Sequence, residues 1–413
     1  MERPGLTSDE PMAVTLRSIE VAVPPTVLVQ HQLRDLFTAQ PGLSRLGARL
    51  AAAAFNASGI ERRHTVLAEL APDAGTGATA FFDPATGRLL DPSTGVRNAV
   101  YAREADALFV RAAAAALAGC EGIDAQDVTH VVTASCTGFY SPGPDYRIVR
   151  ALGLQPSVQR SHVGFMGCYA AFPALRQANA ICRADPDAVV LVAAAELCTL
   201  HVHVRDDQDT VVGASLFADG AAAAVVTGRD LGPAPALQLD DLASVLTPVG
   251  EEAMAWSIGD NGFEMVLGSY VPHIIDEHVE SALAPLMARD ASLRGSAHHE
   301  IEHWAVHPGG RSILDKVETT LGLSTEQMRP SREVLRDFGN MSSATVLFVL
   351  RDVLARATAG ERVCAMAFGP GLTVESGLFT RVGSPAPATL PASEDETEPA
   401  AVAGPRRELL GAR

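Results

Sequence analysis

The segment Val163-Gly-Phe-Met-Gly-Cys-Tyr-Ala-Ala-Phe-Pro173 holds the feature from which the fold can be worked out. Gly164 and Gly167 allow a close backbone approach or a positive φ just before Cys168. Pro173 is tolerated in a helix only within its first turn. The segment therefore predicts a helix that begins at Cys168, where free N–H groups and the helix dipole favour a thiolate. On this segment alone, a buried structural cysteine fits equally well.

Two further segments carry a histidine and an asparagine at the ends of predicted elements. In His303-Trp-Ala-Val-His307-Pro-Gly-Gly310, a strand ends at His307 and a glycine turn follows. In Asp337-Phe-Gly-Asn340-Met-Ser-Ser343, Asn340 precedes a helix. His307 could project into a cleft or fill the core, and Asn340 could donate an amide hydrogen bond or cap the helix. A fourth segment, Phe368-Gly-Pro-Gly-Leu372, indicates only a tight loop.

Apolar periodicity divides the chain into two α/β halves. The pattern predicts strands at 14–22, 128–134, 188–195, 220–226, 303–306 and 362–368, and helices at 102–118, 168–184, 271–284, 310–321 and 344–355. The helix from residue 271 is expected to end before Pro285. A similar order of elements in residues 14–245, which hold the cysteine, and in 246–382, which hold the histidine and asparagine, favours a layered α/β fold with pseudo-duplicated halves. Residues 1–13 are expected to form a disordered leader and 383–413 a disordered tail.

The composition argues against several classes of protein. Apolar residues form 47% of the 413-residue chain, which is enough for large buried cores. A net charge of −17 argues against nucleic-acid binding and against electrostatic binding to anionic lipid. Six cysteines without a Cys-X-X-Cys pair favour neither a disulfide framework nor a zinc site. No apolar run is long enough to span a bilayer, so a cytoplasmic protein without integral membrane association is expected.

Taken together and in order, these segments resemble the chalcone synthase-like family, the type III polyketide synthases. The similarity extends over residues 14–382 and is carried by Thr137-Gly138, Ser141-Pro-Gly143, Gly167-Cys168, Leu216-Phe-Ala-Asp-Gly-Ala-Ala222, His307-Pro-Gly-Gly310, Gly339-Asn-Met-Ser-Ser343 and Gly369-Pro-Gly371. The resemblance implies a thiolase-like αβαβα layered fold and a homodimer. It also implies that acyl-CoA and malonyl-CoA are the substrates and that no metal or other cofactor is needed.

By this resemblance, Cys168 is the nucleophile that takes an acyl group from CoA, and His307 pairs with it. His307 and Asn340 are expected to donate hydrogen bonds to the thioester oxygen of malonyl-CoA while it loses carbon dioxide. Phe217 matches the phenylalanine at the mouth of the family's CoA tunnel. Five further residues are expected to line the substrate cavity, namely Cys136, Thr137, His201, Trp256 and Met265.

These cavity residues depart from the plant enzymes of the family. His201 replaces a threonine, Trp256 stands at the glycine of chalcone synthase, and Met265 replaces a phenylalanine. Because tryptophan fills far more space than glycine, a coumaroyl-derived product would not fit in the same way. Bacterial relatives that make alkylpyrones and alkylresorcinols from fatty acyl-CoA are more similar, including in Cys136-Thr-Gly138. The alternative is a repacked wall that leaves substrate choice unchanged.

The basic cluster that holds CoA phosphates in the plant enzymes is replaced by residues 50–57, most of which are alanine. Arg45, Arg49, Arg62 and Arg63 lie nearby in the sequence and could substitute for that cluster. Exposed arginines usually form only a solvated surface, so none of the four is assigned to a site.

The predicted activity is decarboxylative condensation of malonyl-CoA units onto an acyl-CoA starter, followed by closure to a pyrone or resorcinol-type ring. A malonyl-primed synthase of aromatic products is the nearest alternative. An initiating ketoacyl-ACP synthase would carry His-Gln-Ala-Asn where residues 307–310 are His-Pro-Gly-Gly. A hydroxymethylglutaryl-CoA synthase would need a glutamate near the cysteine, and a papain-like protease a Cys-Gly-Ser-Cys-Trp type of segment. A non-catalytic relative would usually lack the cysteine, the histidine or the asparagine.

Overall fold

The computed structural model describes residues 12–71 and 79–384. Apart from residues 12, 13, 383 and 384, the predicted leader (1–13) and tail (383–413) lie outside these ranges. The disorder expected there stays a prediction, and so does the boundary between the halves at residues 245 and 246.

Within the described ranges, fifteen strands and ten helices follow one another along the chain. The strands are β1 (Thr15–Ala22), β2 (Thr26–Val29), β3 (Arg62–Thr65), β4 (Phe82–Asp83), β5 (Arg88–Leu89), β6 (His130–Ser135), β7 (Gln159–Gly164), β8 (Val189–Leu197), β9 (Asp219–Thr227), β10 (Ala236–Leu246), β11 (Met254–Gly259), β12 (Gly262–Leu267), β13 (His303–Val306), β14 (Arg362–Gly369) and β15 (Thr373–Val382). The helices are α1 (Gln30–Thr38), α2 (Arg45–Ala57), α3 (Thr94–Ala118), α4 (Pro144–Ala151), α5 (Ala171–Ala184), α6 (Gln208–Leu216), α7 (Val271–Arg289), α8 (Arg311–Leu321), α9 (Thr325–Phe338) and α10 (Thr345–Arg356). In this part of the chain no helix is long and apolar enough to cross a membrane.

Nine strands are hydrogen-bonded in the order β13-β14-β15-β10-β1-β9-β8-β6-β7. The nine strands form two parts, β13-β14-β15-β10 and β1-β9-β8-β6-β7. The two parts meet where Thr15 and Leu16 of β1 pair with β10. Helices α5 and α10 pack between the two parts, α3 covers the outer face of one, and α7 with α8 covers the outer face of the other. The layers are therefore α, β, α, β, α, and the predicted thiolase-like fold is confirmed.

Alternation along the strands explains why both faces of each part are covered. In β14, Val363 and Ala365 join the core around α5 and α10, while Cys364 and Met366 join the core beneath α7 and α8. Successive strand residues point to opposite faces, so a continuous apolar run buries both. The same short apolar runs made these strands recognisable in the sequence.

Three predicted helix ends are wrong. Helix α3 begins at Thr94 and not at residue 102, and α5 begins at Ala171 and not at Cys168, which lies in a 3₁₀ turn. Helix α7 does not stop before Pro285 but continues to Arg289. Pro285 is exposed, so the carbonyl that loses its helical hydrogen bond can bond to water instead. Leu286 and Met287 in the following turn are buried in the core, which holds that turn against the sheet.

Candidate active site

All nine residues expected at the site line one cavity of about 520 Å³. They come from both halves of the chain and are Cys136, Thr137, Cys168, His201, Phe217, Trp256, Met265, His307 and Asn340. Most of the cavity lining is apolar. The structure thus brings together residues that lie as far as 204 positions apart in sequence (Cys136 and Asn340), and their individual roles stay predictions.

Cys168 stands in a short 3₁₀ turn, Gly167–Tyr169, between strand β7 and helix α5. Gly167 has φ 68°, and a Cβ there would lie 2.6 Å from Cδ of Pro370, so only glycine fits. Gly164 needs no such freedom, because its φ is not positive and the nearest atom to a Cβ there is 3.5 Å away. In the segment between β7 and α5, the other residue with a positive φ is Phe165, at 59°. The loop after β14, interpreted from sequence only as tight, therefore braces the turn that carries Cys168.

His307 follows strand β13 and is held by its backbone N–H, which donates to the carbonyl of Met366 at 2.8 Å. The side chain is 1% exposed, and neither ring nitrogen has a hydrogen-bond partner among the described residues. Burial without a compensating charge lowers the pKa of His307 to about 3. The imidazole is therefore neutral and has both nitrogens free for a substrate.

Asn340 is fixed through its backbone to the segment that carries Phe217. Its N–H donates to the carbonyl of Leu216 at 3.0 Å, and its carbonyl accepts from Ala218 at 2.9 Å. The side-chain Nδ2 donates to the carbonyl of Gly309 at 3.2 Å, and Oδ1 accepts from the N–H of Ser342 at 2.9 Å. The amide consequently lies beside the turn that follows His307 and lines the cavity.

The electrostatics of Cys168 differ from the expected thiolate. Burial raises the pKa of Cys168 to about 11, although hydrogen bonds from Ser342 and Asn340 lower it in part and the negative charge of Glu196 raises it further. His307 is neutral for the same reason, the loss of solvation of its charged form. Burial therefore favours the thiol form of Cys168 and the neutral imidazole of His307, and at Cys168 it outweighs the helix terminus.

Behind the nucleophile lies a buried carboxylate that sequence reasoning missed. Glu196 at the end of β8 is 0% exposed and accepts hydrogen bonds from the Thr137 hydroxyl (2.7 Å), the Cys136 N–H (3.0 Å) and the Cys136 thiol (3.3 Å). Ser135 and Ser343 donate to it as well. Burial raises the pKa of Glu196, and these donors oppose that rise. The cluster fixes Cys136 and Thr137, and its only sequence signal is an acidic residue ending an apolar strand.

Ser342 is a second residue that was quoted in a motif but given no role. It has φ 46°, is 4% exposed, and its hydroxyl lies 3.5 Å from the Cys136 sulfur. The Ser342 side chain also acts to lower the pKa of Cys168. A strained backbone at a non-glycine residue persists only where its surroundings hold it, as they do here between the two cysteines.

A run of aromatic rings forms the opposite wall of the cavity. His201 stacks on Phe263 at 4.0 Å between ring centroids, Phe263 on Trp256 at 5.0 Å, and Trp256 on Phe165 at 4.9 Å. Met265 is 39% exposed at its edge. Both nitrogens of His201 are engaged, one with the carbonyl of Thr137 (2.7 Å) and one with the N–H of Phe263 (3.2 Å).

The four arginines that could bind the CoA phosphates differ in burial and in their partners. Arg63 is 1% exposed and donates to the carbonyls of Phe217 (2.6 Å) and Ala214 (2.9 Å), so it is removed from that set. Its guanidinium instead holds the segment of Phe217 in place. Arg62 pairs with Asp337 at 3.1 Å. Arg45 and Arg49 on α2 are exposed.

Comparison with known proteins gives one consistent result. Residues 8–230 match the model of the N-terminal domain of chalcone and stilbene synthases, and residues 238–383 match the model of the C-terminal domain. Bisdemethoxycurcumin synthase of Oryza sativa is 37% identical over 70% of this chain and 74% of its own length. The alpha-pyrone synthesis polyketide synthase-like Pks18 of Mycobacterium tuberculosis is 36% identical over 62% of this chain and 65% of its own length.

Solved structures are similar over most of the chain. PKS-I of the brown alga Ectocarpus siliculosus superposes with a TM-score of 0.83 at 28% identity, covering 91% of this chain and 100% of that one. The C-terminal type III polyketide synthase domain of Steely1 from Dictyostelium gives 0.80 at 26% identity, covering 90% and 99%. Both halves and the site between them are therefore contained in the similarity.

Proposed function

Because the chain belongs to the chalcone and stilbene synthase family, the type III polyketide synthases, we propose that it extends a medium- or long-chain acyl-CoA starter with malonyl units. The product is proposed to close to a pyrone or resorcinol-type ring. The family's general reaction is the decarboxylative Claisen condensation of malonyl-CoA, so the chain is an acyltransferase. The observation that carries the proposal is a single, largely apolar cavity in which a cysteine, a free histidine and an asparagine amide meet.

In the first step, the Cys168 sulfur attacks the thioester carbonyl of the starter. The pKa of about 11 for Cys168 and about 3 for His307 means that the thiol proton must leave as the C–S bond forms. His307, with both nitrogens free, accepts that proton and returns it to the departing CoA thiolate. The acyl group is then held on Cys168 and free CoA leaves.

In the second step, malonyl-CoA occupies the same cavity. Its C–CO₂⁻ bond breaks, carbon dioxide leaves, and the electron pair becomes the enolate of acetyl-CoA. Donors at the thioester oxygen stabilise that enolate, and we assign this role to His307 and Asn340, which line the same cavity. The enolate carbon attacks the acyl carbonyl on Cys168, the C–S bond breaks, and the chain is two carbons longer.

The starter class is inferred from the walls of the cavity. The stack of His201, Phe263 and Trp256 stands where a planar aromatic product would need room, whereas a flexible alkyl chain can lie along it. The similarity to Pks18, which is named for alpha-pyrone synthesis, favours lactone closure. CoA thioesters are the only small molecules that this chemistry requires, so we propose that no metal or further cofactor takes part.

Assembly and location are proposals too. Phe139 and Phe165 are 48% and 47% exposed, with ring centroids 6.1 Å apart, and exposed aromatic pairs of this kind favour burial against another chain. We propose that a second copy covers them in a homodimer, which gel filtration with light scattering would measure. A location in the cytoplasm fits the CoA thioester substrates.

The test of the function is mass spectrometry of products from the purified enzyme, malonyl-CoA and a panel of acyl-CoA starters. We expect pyrones or resorcinols that keep the whole alkyl chain, and none from C168A. The matched control is C120A, since Cys120 is buried outside the cavity. Products from malonyl-CoA alone would favour the malonyl-primed alternative. No condensation with any starter would contradict the proposal.

A further inference from the structure

Two side chains on the wall of the main cavity carry a buried polar atom without a hydrogen-bond partner among residues 12–71 and 79–384. They are His307 and His203. His307 is accounted for by the reaction proposed above. His203 has no part in that reaction, and nothing in its sequence context marked it. A buried, unpaired ring nitrogen in a substrate cavity calls for an explanation.

His203 is oriented by a carboxylate at the protein surface. It lies in the loop before α6, is 7% exposed, and its Nδ1 is 2.9 Å from Oδ1 of Asp91. Asp91 also pairs with the buried Arg97, which donates to the carbonyl of Pro92 at 2.9 Å. Since the carboxylate can only accept, Nδ1 carries the proton, and Nε2 presents a lone pair on the opposite edge of the ring.

The surroundings of His203 keep the imidazole neutral. Burial lowers the pKa of His203, and the positive charges of Arg97 and Arg205 lower it further, whereas Asp91 raises it in part. A neutral ring with Nδ1 protonated is a hydrogen-bond acceptor at Nε2. The atom can therefore bind a donor and cannot act as one.

His203 lies on the walls of two cavities. A side cavity of about 180 Å³ shares part of its wall with the main one, and the shared residues are Val202, His203, Ala214 and Phe217. Most of the other side chains around it are apolar, among them Phe37, Phe55 and Phe81. A long acyl group that extended from Cys168 toward this side cavity would pass His203 on a wall that is mostly apolar.

We infer that His203, held by Asp91, binds a hydroxyl group on the acyl starter, so that the enzyme prefers a hydroxylated acyl-CoA to the unsubstituted one. The inference rests on the function proposed above and deepens it. A plain alkyl chain would cover Nε2 without pairing it, while a hydroxyl donates to it directly. Sites built to pair a substrate hydroxyl discriminate strongly against analogues that lack it.

The first measurement compares acyl-CoA starters of equal length with the unmodified enzyme. One member of each set is unsubstituted, and the others carry one hydroxyl at successive carbons of the chain. We expect kcat/KM for at least one hydroxylated isomer to exceed that of the unsubstituted starter by about tenfold or more. No preferred isomer at any position would overturn the inference, whatever the variants do.

The second measurement assigns the preference to His203. H203F keeps a ring of similar size and removes the acceptor, while Asp91 retains its pair with Arg97. The hydroxyl preference, measured as the ratio of kcat/KM for the hydroxylated and the unsubstituted starter on the same variant, should fall to about twofold or less. H203L replaces this variant if the phenylalanine does not fold. A preference that persists in a folded variant would also overturn the inference.

H303N is the matched control. His303 is likewise paired with a carboxylate, Glu361 at 2.8 Å, but lies outside the cavity, so its loss should leave the preference intact. Failure of the inference is distinct from failure of the proposed function. Condensation of unsubstituted acyl-CoA without any hydroxyl preference contradicts only the inference, whereas no condensation with any starter contradicts the function.

Discussion

The two walls of the cavity are held in different ways. The catalytic wall, defined by Cys168, His307 and Asn340, is built on strands and turns whose neighbours fill the buried cores. The hairpin wall, defined by β11 and β12, is a separate two-stranded sheet. A two-stranded hairpin has little stability of its own, so this wall depends on what ties it to the rest of the molecule.

Several of those ties are polar, while Met254 and Leu267 also pack against the core beneath α7 and α8. Arg205 forms a two-pronged pair with Glu264 at 2.6 and 2.9 Å, and the hydroxyl of Thr94 accepts from the N–H of Gly262 at 2.8 Å. His201 adds the hydrogen bond to Phe263 described above. The difference teaches that the reacting groups sit on rigid elements, while the surface that selects the substrate sits on a part that can change without disturbing them.

The largest effect on activity is expected from a substitution at Gly167, which would disturb the catalytic wall. In G167A, a positive φ and a Cβ 2.6 Å from Pro370 would displace the turn that carries Cys168. We expect kcat/KM to fall about 100-fold or more and the free energy of unfolding to fall by roughly 1–3 kcal/mol. Product formation and urea denaturation measure these two effects. G164A is the control, with little change in either, and equal effects in both variants would contradict the comparison.

A second prediction concerns the protonation of Cys168 in the catalytic wall. Thiolate is the reactive form toward iodoacetamide, and the Cys168 pKa of about 11 lies above the assay range. The rate of alkylation should therefore rise about tenfold per pH unit from pH 6 to 10, without a plateau. Mass spectrometry of the peptide that contains Cys168 gives the rate, with C168A as the blank. A plateau reached below pH 7 would mean that Cys168 and His307 form an ion pair instead.

The smallest effect on rate, with a change in selectivity, is expected in the hairpin wall. W256A removes the ring between Phe263 and Phe165 and enlarges the cavity. Longer or bulkier products should appear, while kcat/KM for the best starter stays within about tenfold of the unmodified enzyme. I258A is the control, because Ile258 is 52% exposed on the same strand and does not line the cavity. Total loss of condensation in folded W256A would show that the two walls are not independent.

The same contrast separates what the sequence predicts from what it does not. Strands such as β13 and β14 are short and apolar on both faces, so their period and length identify them. Each of the motifs around Cys168, His307 and Asn340 left a structural alternative open on its own, and the resemblance of their order to the type III polyketide synthases is what predicted one shared site. The continuation of α7 beyond Pro285 could not be foreseen, since it depends on which side of the helix faces solvent.

Residues that act through distant partners were missed or given another role. Glu196 accepts hydrogen bonds from two distant segments, and Arg63 donates to carbonyls more than 150 positions away, so no local pattern marks either of them. The role inferred for His203 depends on its contact with Asp91 and on its place on the walls of two cavities. Pairings of this kind are set by the tertiary structure, which a single sequence does not display.

The contact between Gly167 and Pro370 has a consequence for recombination. One partner belongs to the N-terminal half and the other to the C-terminal half, and they meet with no room for a single added carbon. A chimaera that joins the two halves from different parents at the connection between residues 230 and 238 would have to inherit a matching pair. A chimaera that combines loops from parents in which they differ would have folded halves but a displaced nucleophile. The two loops must therefore come from the same parent.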